Sequence, residues 1–221
     1  MIDLTICNLA VGLVGGGRPL KSVDDQTPEA VACKSFFRLA LDETITSSNW
    51  SFTRRDEIIT EDDMLKNEHG QVIAGATLPY SYTYQLPDDL IKVIYLARYS
   101  SRPRTIETMA VQHGDLIPFN FRNIDDKLYI AVDFPPPLEL HYQCRIKNFS
   151  IVSSGFNHAC ATKLASLIAP AIIGGAEGIE LGIALEKKFL ETMTRAAAID
   201  AQQGAYSLTT SRTNRFIEAR K

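Results

Sequence analysis

The sequence predicts an α+β fold in which a helical bundle, built by the two ends of the chain, carries an inserted antiparallel β-sheet or sandwich. Three observations predict it. Apolar residues recur at helical spacing near both ends of the chain, whereas in the middle they alternate with polar ones. Neither set of helices has a core of its own, so the two sets must meet across roughly a hundred residues. The expected division is a helical bundle from residues 1–48 and 152–204, a β domain over 49–151, and an extended basic tail over 205–221.

The elements follow in order. Ile6, Leu9, Ala10 and Leu13 form one apolar stripe on a short helix. Gly15 to Gly17 stop that helix, and Pro19 forbids an immediate restart. Thr27, Pro28 and Glu29 supply an N-cap, a first-turn proline and a first-turn acid for a second helix. Its expected inner face is Val31, Cys33, Phe36, Phe37, Ala40, Leu41 and Ile45. From about Trp50 the period changes to two. Tyr80, Tyr82, Tyr84 and Leu86 alternate with Ser81, Thr83 and Gln85. Leu86-Pro87-Asp88-Asp89 ends that strand and turns into Leu90–Tyr99. Leu128, Ile130, Val132 and Phe134 form another strand face, ended by Pro135 to Pro137. Leu138, Leu140, Tyr142, Cys144 and Ile146 then point to one side, with Glu139, His141, Gln143, Arg145 and Lys147 on the other. Ser154 is the expected cap of a helix lined by Phe156, Ala159, Cys160, Leu164, Leu167 and Ile168, with Lys163 snorkelling at its edge. Gly174-Gly175 interrupts, and Ala176 to Gln203 reads as a long helix lined by Ile179, Ile183, Leu190, Met193 and Ala197 and closed by Gly204.

Composition bounds the function. The chain has 221 residues, 45% apolar and 22% charged, with a net charge of −3. An acidic balance argues against tight nucleic-acid binding over the whole surface, because neutralising phosphates needs a basic excess. No apolar run is expected to reach the ~20 residues of a membrane span, and the N-terminus lacks a signal-peptide pattern. The four cysteines, Cys7, Cys33, Cys144 and Cys160, lie in apolar surroundings, as expected for free thiols in a reducing compartment.

Each chemical motif fails on its own mechanism. Gly12 to Gly17 are followed by Arg18-Pro19, where a phosphate loop needs Lys and then Ser or Thr. His141 and Cys144 lie three apart on a strand and face opposite sides, while His158 and Cys160 lie about 200° apart on a helix, so neither pair converges on a zinc ion. There is no Gly-x-Ser-x-Gly elbow, and Cys33 sits on an apolar helical face where a thiol stays protonated. The acids Asp56, Glu57, Glu61, Asp62 and Asp63 lack a calcium-loop glycine and an apolar setting that would raise a pKa. No catalytic residue, metal site or cofactor is expected.

Taken in order, these pieces resemble the tail tubular protein A family, the head-to-tail adaptors of short-tailed phages. The resemblance runs through Asn8-Leu9, the glycine turn with Arg18-Pro19-Leu20, Asp24-Asp25, Ala32-Cys33 and the exit Trp50-x-Phe52. It continues with Leu86-Pro87-x-Asp89, Leu138-x-Leu140-x-Tyr142, Ala161-x2-Leu164-Ala165 and Leu167-x-Ala169-Pro170, covering roughly residues 6 to 204. The triple glycine and the segment beyond Gly204 depart from the pattern. The resemblance implies a non-enzymatic structural virion protein, made in the host bacterial cytoplasm and placed at the head–tail junction. Such adaptors form a dodecameric ring that binds the portal protein above and a tail nozzle of the tail tubular protein B type below. Double-stranded DNA passes through the lumen without specific binding, and nothing inserts in a membrane. The basic tail, with Arg212, Arg215, Phe216, Ile217 and Arg220, is then the expected partner-binding segment, directed at the portal. Asp56, Glu57, Glu61, Asp62 and Asp63 are the expected channel-facing acids. The alternatives are a connector or head-completion protein of a long-tailed phage and a small intracellular enzyme.

Overall fold

The computed structural model describes residues 2–15, 18–66, 73, 79–99 and 116–218, with side chains to residue 202. The described residues form four α-helices and two three-stranded antiparallel sheets, an α+β fold. The chain divides into two compact units, Met1–Thr53 with Ile146–Lys221, and Arg54–Arg145.

The first unit is helical. Helix α1 is Leu4–Val14, capped by the Asp3 carboxylate, which accepts from Ile6 N, and closed by Gly15 at φ 88°. Only a residue without Cβ adopts that angle at no steric cost. Its buried residues are Ile6, Cys7, Ala10, Val11 and Val14; Leu9, expected inside, is exposed. Helix α2 is Pro28–Thr46, capped by Thr27 with proline in its first turn, and it buries Ala30, Cys33, Phe37, Ala40, Leu41 and Ile45 while exposing Val31. In α1 the inward face is rotated from the expected one, whereas in α2 Cys33, Phe37, Ala40, Leu41 and Ile45 are buried as expected and Val31 is not. Small residues allow close helix approach on one side, and the larger aliphatic residue beside them is left outside.

Helix α3, Ser154–Ile173, is central: α1, α2 and the last helix all pack on it. Its cap is Ser153, one residue before the expected Ser154. By length and composition α3 is apolar enough to cross a membrane, contrary to the expectation of no such run, and 61% of its most apolar window is buried inside the protein. After Gly174 and Gly175, both at positive φ, helix α4 runs over Gly175–Glu218. It therefore continues through Gly204, which was expected to cap it, and the tail expected to be extended is helical to Glu218. An interior glycine costs a helix about 1 kcal/mol, which is not a stop signal by itself, and no proline follows to end it.

The α3–α4 hairpin is closely approached at two glycines. A β-carbon at Gly178 would lie 3.0 Å from the Ala169 carbonyl oxygen, and one at Gly182 would lie 3.0 Å from that of Ser166. Gly182→Ala is therefore expected to cost a net ~1–2 kcal/mol, because backbone must shift by more than the helix-propensity gain of ~1 kcal/mol repays. Gly12→Ala, where nothing lies within 4 Å, is expected to stabilise by about 0.5–1 kcal/mol. Urea midpoints of the two variants should move in opposite directions; movement in the same direction refutes the close-approach argument.

The second unit is a small sandwich. One sheet has the order β1–β6–β3, with β1 Arg54–Ile59, β3 Leu90–Arg98 and β6 Leu138–Cys144. The other has the order β2–β5–β4, with β2 Tyr82–Gln85, β4 Asn120–Ile124 and β5 Lys127–Val132. Ile59, Leu96, Leu138, Leu140 and Tyr142 of the first sheet share one core with Tyr84, Ile130 and Val132 of the second. The period-two reading placed Ile130, Val132, Leu138, Leu140, Tyr142 and Cys144 inside, and all are buried. Leu128, expected with them, is exposed.

Candidate functional site

The helical unit buries an ion-paired lysine among three of its helices. Lys163 on α3, expected to snorkel to water, is instead buried. Its Nζ lies 2.6 Å from Glu43 Oε2 on α2 and 2.7 Å from Glu186 Oε1 on α4. The Ser166 hydroxyl donates to Glu186 Oε2 at 2.9 Å, and the Phe189 ring centroid is 5.4 Å from the ammonium. Burial pulls the lysine pKa down, but the hydrogen bonds and charges of Glu186 and Glu43 outweigh it and hold the value above the ordinary one. One ammonium thus ties α2, α3 and α4 together and leaves two carboxylates, each 42% exposed, at the surface.

Beside that junction lies an apolar face turned outward. Three members of the stripe expected to line the core side of α4 do not do so: Ile179, Ile183 and Leu190 are 56%, 67% and 54% exposed, while Met193 and Ala197 are half-buried. The inner seam is Gly178, Gly182, Leu185, Phe189, Ala196 and Asp200. Two of its members are glycines, so counting apolar residues selects the wrong side; the signal that could have found it is the small residues four apart. Asp200 is the last member of the seam among the described side chains, accepting from Ser51 N and Ser51 Oγ, each at 2.7 Å. Ile183 and Leu190 stand three before and four after Glu186, so they share its side of the helix. Leu39, 47% exposed, stands four before Glu43 on α2. On α2 and α4, near these two carboxylates, Leu39, Ile179, Ile183 and Leu190 are exposed to solvent.

The expected channel-facing acids all lie in the β unit. Asp56 and Glu57 are on β1, and Glu61, Asp62 and Asp63 form a short 3₁₀ turn after it. Several have local partners. Asp63 accepts from Thr60 N at 2.8 Å in a capping box. Asp56 lies 2.5 Å from His141 Nδ1, whose ring stacks on Tyr95 at 4.1 Å. Glu57, Asp62, Asp63 and Asp88 line an open groove of about 360 Å³. Nearby, the Tyr142 hydroxyl lies 3.3 Å from both Glu57 and Asp89, and burial together with those carboxylates raises its pKa.

Of the expected partner-binding residues, Arg212, Arg215, Phe216 and Ile217 fall on the last turns of α4. Their side chains, and Arg220 entirely, lie outside the described residues. Among the described residues no group of three or more His, Cys, Asp or Glu side chains gathers as a metal-binding cluster. The four cysteines are free and buried. Cys7 and Cys33 hydrogen-bond to each other, which with burial pushes the Cys7 thiol up. Burial pushes Cys160 up to about 12.

These features define an α+β protein whose last helix turns Ile179, Ile183 and Leu190 outward. Comparison with protein-family models and with curated proteins gives no match.

Proposed function

We propose that this chain is a head-to-tail adaptor, a structural virion protein that forms a ring between the portal and the tail nozzle and encloses part of the DNA ejection channel. The observation that carries the reading is the outward face of α4, with Ile179, Ile183 and Leu190 exposed beside a tightly tied helical junction. A ring protein needs such a face, because every subunit must bury one surface against a different surface of its neighbour. The resemblance of the ordered motifs from Asn8 to Pro170 to the tail tubular protein A family supplies the class, the expected twelvefold ring and its partners. The acids from Asp56 to Asp63 suit a lumen wall, since repeated negative charge repels phosphates and prevents DNA from stalling.

The test is negative-stain electron microscopy of the purified full chain, alone and mixed with a portal ring. The expected result is rings with a central hole wide enough for duplex DNA. A chain that forms no ring in either sample, and does not bind the portal, refutes the adaptor reading.

A further inference from the structure

We propose that the outer edge of β1, with the groove beside it, accepts an extended segment of another protein as an added strand, one that alternates basic and apolar residues.

The first argument is the edge. Among the described residues β1 pairs with β6 alone, and β6 separates it from β3. In an antiparallel strand with one partner, alternate residues turn their N–H and C=O groups away from that partner. Arg54, Arg55, Asp56, Glu57 and Ile58 are all exposed, so this edge is open to solvent. An extended chain laid along such an edge gains main-chain hydrogen bonds from it.

The second argument is the groove. Cross-strand partners share a face, so Arg55, Glu57 and Ile59, opposite Tyr142, Leu140 and Leu138, turn toward the sandwich interior. That interior is accessible along the β1 edge. Ile59, Leu86 and Leu140, all buried, form the floor of the groove of about 360 Å³. Its rim carries Glu57, Asp62, Asp63 and Asp88, with no Lys or Arg. A second opening of about 400 Å³ shares Glu57 and Pro87 with it and continues to Asp89 and Tyr142. Some of these acids are engaged. Asp62 lies 3.4 Å from Lys66, Asp63 closes the capping box, and Asp89 lies 3.0 Å from Arg55. Glu57 and Asp88 have no cationic partner among the described residues.

The third argument is what fits. An added strand places every second side chain over the groove. A Lys or Arg there lays its methylene stem on Ile59 and Leu86 and sets its charge at Glu57 and Asp88. The intervening side chains lie on the other face beside Ile58, which is 48% exposed, and apolar ones suit it. This chain does not supply that strand to itself. Residues 67–78, which follow the turn after β1, contain no Lys or Arg. Residues 100–115, which do, depart from β3 and return to it at the Ala97–Leu116 bridge, on the far side of β6. The basic end of the chain is helical to Glu218. Pairing of β1 with β1 of a second copy, antiparallel and in centred register, sets Asp56 against Glu57, and like charges directly opposite disfavour it. The occupant is therefore a segment of a different protein. The contact does not depend on the adaptor reading and holds whether or not these acids line a channel.

Fluorescence polarisation of the full chain with a short labelled peptide of alternating lysine and valine tests this. The peptide is expected to bind saturably, and one of alternating glutamate and valine is not. Glu57→Lys/Asp88→Lys is expected to weaken binding at least about 10-fold, with circular dichroism checking the fold. Methylating the lysine amides in one peptide and the valine amides in another blocks one edge of the peptide strand at a time. At least one of the two is expected to bind about 10-fold more weakly. Absence of saturable binding overturns the proposal, as does undiminished binding to the double variant. Both methylated peptides binding like the parent leaves charge attraction alone and overturns the added strand. Hydrogen exchange of the free chain checks the edge itself: alternate amides from Arg54 to Ile59 are expected to exchange freely and to slow when the peptide is added. Amides already slow at every protein concentration assign the edge to this chain's own residues, and slowing that grows with concentration assigns it to a second copy. Either result overturns the proposal and leaves the adaptor reading to the ring experiment.

Discussion

Trp50→Ala is expected to lower the unfolding free energy of the helical unit by about 3–5 kcal/mol. Trp50 is fully buried at the exit from α2. Its ring meets Phe156 of α3 edge-on at 5.0 Å between centroids, and its indole N–H donates to the Thr44 carbonyl oxygen at 2.8 Å. Truncation removes a large apolar surface from the core, leaves a cavity that Phe52 and Phe156 only partly fill, and orphans a buried carbonyl. Trp50 is the one tryptophan of the chain, so the comparison needs the helical circular-dichroism signal in urea rather than fluorescence. A loss below ~1 kcal/mol would show that the aromatic cluster is not what holds α2 to α3.

The second large effect falls on Lys163. Lys163→Met is expected to cost about 1–3 kcal/mol. The value sits below the usual penalty for breaking a buried ion pair because Glu43 and Glu186, half exposed, regain water when the ammonium is removed. The pH dependence has a definite sign. The folded-state pKa of Lys163 lies above the unfolded value, so its contribution is fully present below the unfolded lysine pKa of about 10.4. It is lost as the pH climbs through the raised folded value. Wild type and Lys163→Met are therefore expected to differ in urea midpoint at neutral pH and to converge in strong alkali. A difference that stays constant across that range would assign the effect to packing and not to charge.

Much of the fold was legible because the deciding physics is local. Thr27 and Pro28 announce a helix start, and the alternation from Leu138 to Cys144 describes a strand whose inward residues are all buried. What was not legible depends on partners distant in the chain. On α4 two faces compete, one with Ile179, Ile183 and Leu190, the other with Gly178, Gly182, Leu185 and Phe189. Hydrophobicity favours the first, but glycines let the backbone of α3 approach within contact, and that geometry wins. Lys163 on an apolar stripe looks like a snorkelling residue until Glu43 and Glu186 are brought to it from other helices. Gly204 looks like a cap, since the weak local preference for stopping is the only information the sequence offers there. The outward face of α4 was missed for the same reason: Ile179, Ile183 and Leu190 were assigned to the interior.

The pairing of β1 with β6 has a consequence for how the helices find one another. Arg54, the first residue of the β unit, sits opposite Gln143, two residues before its last. The first residue of the insert and one near its end thus face each other across neighbouring strands, about 5 Å apart. Once the β unit has formed, the long intervening segment acts, for the search between α2 and α3, like a much shorter loop, and much of the loop-closure entropy has already been spent. The insert is a cassette with adjoining ends: it can be lengthened, decorated or exchanged at its far side without changing the spacing that the helical bundle needs.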